Sequence, residues 1–199
     1  MKNLVIILHL LLLGGCKKDA AISVPGIPPA ETIPGEFFTK YSIFKGAHYC
    51  DKTSIKAFEG DQVNFKIKFD STAIYQTIDP ANQLDINKLI GFSEGSNNHI
   101  NSARLGWSWN EGALRLYGYV YANGVRISRE IAVVDIGTTI RVGIRISGKE
   151  YIFSVNEKKL VLPRGLETES VSGYWQFPYF GGDEVAPHDM YIKLLHLKN

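Results

Sequence analysis

Cysteine is almost absent, with two in 199 residues. One of them, Cys16, closes an apolar run near the N-terminus, so Cys50 has no intramolecular partner and a disulfide framework is excluded. Charge of one sign is also lacking. Lys and Arg number 22 against 20 Asp and Glu, for a formal net charge of +2, and the two signs alternate along the chain without forming a basic block. That balance excludes nucleic acid as a partner, because phosphate binding needs clustered cations. No apolar run beyond residue 13 approaches the ~20 residues of a membrane-spanning helix. Helical periodicity longer than two turns is missing too, which argues against a helical bundle. What remains is a chain rich in Val, Ile and aromatics, the last at 12%, a composition suited to sheet.

The start of the chain has its own pattern. Lys2 precedes an apolar run over residues 4–13, broken only by His9, which reads as the basic start and short greasy core of an export signal. As a helix at ~1.5 Å per residue that run reaches about 15 Å, half of a ~30 Å hydrocarbon slab, so it does not span. Leu13-Gly14-Gly15-Cys16 resembles a bacterial lipobox. The resemblance implies cleavage before Cys16 and acylation of that cysteine, by palmitate among other chains, with the membrane as the first partner. Residues 17–35 carry Pro25, Pro28, Pro29 and Pro34, which block helix and central strand pairing. They form a tether that, extended at ~3.1 Å per residue, reaches roughly 60 Å. The expected organisation is a signal peptide over residues 1–15, a lipidated tether over 16–36 and one domain over 37–199.

Within that domain, apolar and polar residues alternate in short runs separated by Gly, Asn and Asp. In Gln62–Phe69, Val63, Phe65, Ile67 and Phe69 fall on one side and Asn64, Lys66 and Lys68 on the other. Over residues 114–121, Leu114, Leu116, Gly118 and Val120 oppose Arg115, Tyr117, Tyr119 and Tyr121, and an Asn123-Gly124 hairpin pair follows. Over residues 139–147, Ile140, Val142, Ile144 and Ile146 alternate with Arg141, Gly143 and Arg145. Residues 151–155 and 191–197 supply further strands. Many one-sided strands with short turns predict an all-β, two-sheet antiparallel sandwich, since a single sheet would leave its apolar face in water.

Two segments carry a family resemblance. NHINSARLGWSWNEGALRLYGYVYANG with TTIRVGIRISGKEYIFSVN, and later PYFGGDEVAPHDMYIKL, resemble the concanavalin A-like lectin/glucanase jelly roll, in the versions carried by surface lipoproteins of Bacteroidota. The resemblance implies a jelly-roll sandwich on a protein anchored in the outer membrane, facing either the periplasm or the cell surface. Enzymes of that architecture use set patterns. Glu59-Gly60-Asp61 begins the glycosidase pattern Glu-x-Asp-x-x-Glu, but Asn64 stands where the second glutamate belongs. The Gln-x-His strand and the closing Tyr-Lys strand of alginate-type lyases are not found. Neither is a Gly-x-Ser-x-Gly elbow, and His48 with Cys50 is too small a set for a closed metal site. The chain is therefore expected to be non-enzymatic.

The candidate ligand residues form three groups. Arg115, Tyr117, Tyr119 and Tyr121 make a row, with Arg141 and Arg145 expected on the same face of a nearby strand. Aromatic rings stack on the apolar faces of sugars and arginines fork onto hydroxyls and carboxylates, although Tyr–Arg pairs also stabilise a sheet without any ligand. His99 and Asn101, in a polar loop with Asn97 and Asn98, and Trp175, in a cluster with Tyr174, Tyr179 and Phe180, complete the set. Trp107 and Trp109 share a side with Leu105, which points at least one of them into the core. No cofactor is called for. Asp183, Glu184 and Asp189 offer oxygens to Ca²⁺, without the spacing of a calcium loop. The expected function is a binding module for glycan; the competing class is an accessory subunit of an outer-membrane complex for nutrient import, assembly or secretion, with a polysaccharide hydrolase or lyase as the third.

Overall fold

A computed structural model describes residues 36–198, so the expected signal segment, Cys16 and the proline-rich tether lie outside the described residues. Alternation with period two becomes twelve strands in two antiparallel sheets. The first sheet contains β1 (Thr39–Ile43), β3 (Gln62–Phe69), β8 (Ile140–Ser147), β9 (Glu150–Val155), β10 (Lys158–Pro163) and β12 (Met190–Leu197), in the spatial order β1-β12-β3-β8-β9-β10. The second contains β2 (Ala57–Gly60), β4 (Asn87–Glu94), β5 (Ser102–Asn110), β6 (Ala113–Ala122), β7 (Val125–Val134) and β11 (Val171–Gln176), in the order β2-β11-β4-β5-β6-β7. The two-sheet sandwich expected from the sequence is the fold.

Each predicted apolar side is buried. Val63, Phe65, Ile67 and Phe69 of β3 and Ile140, Val142, Ile144 and Ile146 of β8 all lie in the core, as do Leu114, Leu116 and Val120 of β6. Asn123 and Gly124 both take positive φ, 50° and 81°, the backbone that a two-residue hairpin between β6 and β7 requires. Trp107 is fully buried against Phe69, with ring centroids 5.3 Å apart across the sheets, and Trp109 packs at the core's edge. Cys50 is a buried free thiol 3.3 Å from the Thr53 hydroxyl.

The sheets are also joined by a buried charge pair. Glu94 at the end of β4 accepts hydrogen bonds from Nε and Nη2 of Arg164, each at 2.8 Å, and from the Tyr151 hydroxyl of β9 in the opposite sheet. Arg164 Nη1 donates to Gly148 O at 2.9 Å and Nη2 to Thr168 Oγ1 at 2.7 Å. Burial, then the bond to Glu94, holds the Tyr151 phenol well above its ordinary pKa. A buried cation whose N–H groups all find acceptors is tolerable, but one stripped of its carboxylate partner is costly. Glu94→Ala should lower unfolding stability by about 3–5 kcal/mol, read by urea denaturation of the full chain. A loss below about 1 kcal/mol would show that the pair holds nothing together.

Candidate functional site

Cross-strand register builds the site. Residues directly opposite in neighbouring strands share a face, so the pairings Tyr174–Ser93, Ser93–Ser102, Ser102–Tyr121 and Tyr121–Arg126 run one transverse row over β11, β4, β5, β6 and β7. The next row reads Gln176–Gly91, Gly91–Arg104, Arg104–Tyr119 and Tyr119–Ser128. The small residues Ser93, Ser102 and Gly91 leave a low floor, and the tyrosines stand up beside it. The result is a cleft of about 600 Å³ on the outer face of the second sheet, within the size range of ligand sites. The loops over residues 49–55, 98–99 and 177–182 form its rim.

At its centre lies Arg104, 7% exposed. Its guanidinium sits 5.4 Å from the centre of the Tyr119 ring, and its Nε has no hydrogen-bond partner among the described residues. Burial lowers its pKa, opposed by the surrounding tyrosines. Lys88 of β4 lies over the other part of the same ring, with Nζ 4.7 Å from the centroid, and donates to Ile86 O at 2.7 Å. Burial first, and then the nearby Arg104 charge, pull Lys88 down to about 8. The Tyr119 phenol is moved the opposite way, above its ordinary value, by burial and by Tyr121. His99 stacks flat on Tyr121 with centroids 5.0 Å apart, and Tyr179 stacks on His48 at 5.2 Å. Gln176 accepts a hydrogen bond from Asn98 at 3.3 Å.

Lys88 is held where it is by chain conformation as well as by charge. Its backbone N–H donates to Tyr179 O at 2.8 Å and its carbonyl accepts from Tyr179 N–H at 3.0 Å, which brings the 177–182 loop down on β4. Gly181 makes this approach possible, because a Cβ there would meet Lys88 Nζ at 2.6 Å and Ile86 O at 3.0 Å. The same Gly181 N–H donates to Asn87 Oδ1 at 2.8 Å.

Of the residues singled out in the sequence, Tyr119, Tyr121, His99 and Trp175 line the cleft. Trp175 turns toward the core side, edge-on to Phe58 at 5.0 Å and Phe65 at 6.0 Å, and only reaches the rim. Arg115 lies on the predicted row, but Glu130 at 2.9 Å and Glu111 at 2.5 Å already take its guanidinium. Tyr117 is spent on Ser108, 3.0 Å away. Asn101 is buried and accepts the Asn123 N–H at 2.9 Å, so it secures the β6–β7 hairpin and does not line the cleft. Arg141 and Arg145 are a correction: β8 belongs to the first sheet, so their side chains cannot join the tyrosine row on the second. The calcium candidates Glu184 and Asp189 are held by other partners among the described residues. Glu184 caps Ile78 N and Asp79 N at 2.8 Å each, Asp189 accepts from Lys45 N at 2.9 Å, and no group of three metal-ligating side chains forms. His48 bonds Phe180 O at 2.8 Å instead of sharing a metal with Cys50.

Sequence reasoning missed Arg104 and Lys88. The signal for Arg104 was its place on the polar side of the alternation in RLGWSWN, opposite Leu105 and Trp107. For Lys88 there was none, because both sides of β4 are buried and a bulge between Lys88 and Ile90 breaks its period.

No protein-family model matches the chain, and no curated protein matches it. Solved structures are similar in fold. A family 7 alginate lyase in complex with product matches with a TM-score of 0.50 and 9% identity, over 79% of this chain and 76% of that one. The structure titled LamAcat from Zobellia galactanivorans matches at 0.47 and 9%, over 79% and 74%. The carbohydrate-binding module CBM66 from Bacillus subtilis matches at 0.35 and 6%, over 80% and 79%. At such identities the likeness is one of fold, and it bears out the jelly-roll architecture. It also corrects the expectation of a non-catalytic module or accessory subunit. That expectation rested on missing linear motifs, whereas the fold is one that a polysaccharide lyase uses, and the cleft here gathers ionisable side chains from separate strands.

Gly181→Ala should push the Lys88 ammonium off Ile86 O toward water, so that its pKa rises from about 8 toward the 10.5 of a free lysine. Titration of the lysine side-chain resonances by NMR measures this. An unchanged Lys88 midpoint would show that the loop does not set its environment.

Proposed function

We propose that this protein is a polysaccharide lyase that opens uronate-containing chains by β-elimination in the cleft of the second sheet. One observation carries the reading: Arg104 is a nearly buried cation, lacks an acidic partner among the described residues, and stands beside a lysine and a tyrosine whose proton affinities are shifted in opposite directions. Leaving a cation so placed costs free energy unless a ligand anion completes it. The similar fold of an alginate lyase supports the same class of substrate.

The chemistry assigns three roles. Arg104 pairs with the sugar carboxylate and withdraws charge from it, which acidifies the adjacent C5–H. Lys88, neutral in about one molecule in ten at pH 7 given its pKa of about 8, takes that proton. Tyr119 remains a phenol and gives its proton to the departing O4. The C5–H and C4–O bonds break, a C4–C5 double bond forms, and the proton gained by Lys88 returns through water to Tyr119. Tyr121, Tyr174 and Tyr179 offer faces on which sugar rings stack.

Incubation with alginate and other polyuronates should release products absorbing as unsaturated uronates. Arg104→Ala and Tyr119→Phe should each lower the rate by roughly a hundredfold or more while melting as the parent does. The rate should climb with pH and level off above about 8, because Lys88 is a base only after it has lost its proton. Absence of unsaturated product across a panel of polyuronates sinks the proposal.

The lipobox-like Leu13 to Cys16 supports a second part of the proposal: the enzyme is anchored in the outer membrane through acylated Cys16, as in the surface lipoproteins of Bacteroidota, with residues 16–36 as its tether. Cys16→Ser should move it from the membrane to the soluble fraction. A mutant that still sediments with membranes contradicts the anchor.

A further inference from the structure

The cleft does not stop at Tyr119. A second hollow, lined by Asp85, Ile86, Lys88, Tyr119, Arg126, Ser128 and Gly182, shares Lys88, Tyr119 and Gly182 with the first, so the two form one groove that continues over β6 onto the edge strand β7. On this face three arginines have different fates. Arg115 is neutralised by Glu111 and Glu130. Arg104, at the centre, has no ion-pair partner among the described residues and leaves its Nε without a hydrogen bond. Arg126, exposed at the groove's end, makes no ion pair or hydrogen bond among the described residues, yet it is near enough to Lys88 and Tyr119 to act on both electrostatically. Among the described residues no carboxylate forms an ion pair with Lys88, Arg104 or Arg126; Asp85 acts on Lys88 only electrostatically, and the tyrosines act on Arg104.

From this asymmetry we infer that Arg126 is a specificity-determining residue, which receives the carboxylate of a second acidic sugar of the same chain while Arg104 holds the first. The inference rests on the lyase proposal for the substrate class. Arg104 and Arg126 stand on strands two apart, roughly 10 Å in the hydrogen-bonding direction, and two residues apart along the strand. A single sugar cannot bridge that span, but an oligomer crossing the Tyr119 ring can. The groove thus reads the repetition of charge along the polymer. A chain that is acidic at only one unit loses the second contact, and so does a single sugar.

The test uses the full chain in a Tyr119→Phe background, which keeps the oligomer intact during calorimetric titration. The probes are the mannuronate monomer and its tetramer. Arg126→Ala should weaken tetramer binding by about tenfold, the loss of one charge-assisted contact, and leave monomer binding within about twofold. Arg126→Lys should restore most of the tetramer affinity, since the positive charge remains. Equal losses for monomer and tetramer, or none for either, overturn the role of Arg126 while leaving cleavage by the parent protein intact. If the parent makes no unsaturated product from any polyuronate, the lyase proposal is what fails, and the Arg126 role falls with it.

Discussion

Every strand in the second sheet has to satisfy two media at once, and the two-residue repeat is what lets it do so. In β5, Ala103, Leu105 and Trp107 face the first sheet while Ser102, Arg104 and Ser108 face away. Because β4, β5, β6 and β7 pair in register, the inward residues assemble into one apolar layer, and the outward ones into transverse rows. A slip of one residue would put Arg104 into the core and Leu105 into the cleft. The core and the cleft are therefore the two sides of one ladder, and the burial of Trp107, Leu116 and Phe92 fixes where Arg104, Tyr119 and Gly91 stand.

Two nearly buried arginines show how the fold separates structure from chemistry. Arg164 has a carboxylate, a phenol, backbone carbonyls and a hydroxyl around it, so its charge is answered from within the chain and the sheets are tied together. Arg104 has ring faces and an unpartnered Nε, which stabilise a cation only in part. The stability invested in the core offsets that cost, a pattern expected where a site must bind something the protein does not itself contain.

The fold was legible because burial is one-sided in the strands that define it. Gln62–Phe69, Ile140–Ser147 and the 114–121 segment alternate cleanly, and the Asn123-Gly124 pair announces its hairpin. The site was legible in part. Tyr119 and Tyr121 were visible because β6 keeps the period, whereas β4 and β5 are buried on both sides by the cleft walls and hide their polarity pattern. The pairing of β8 with β3 and not with β6 was not legible either, because strand order depends on long connections that leave no local trace. This is why Arg141 and Arg145 were grouped with residues of the wrong sheet.

Linear motifs would miss the proposed site for a related reason. A motif records side chains that one strand supplies, but the present constellation takes Lys88 from β4, Arg104 from β5 and Tyr119 from β6, one residue from each. Lys88 owes its depressed pKa to none of its sequence neighbours acting alone. Its burial comes from the fold around it, with the 177–182 loop packed beside its side chain, and the charge comes from Arg104 on the adjacent strand. The proposed chemistry resides in register and strand order, which no short sequence pattern records.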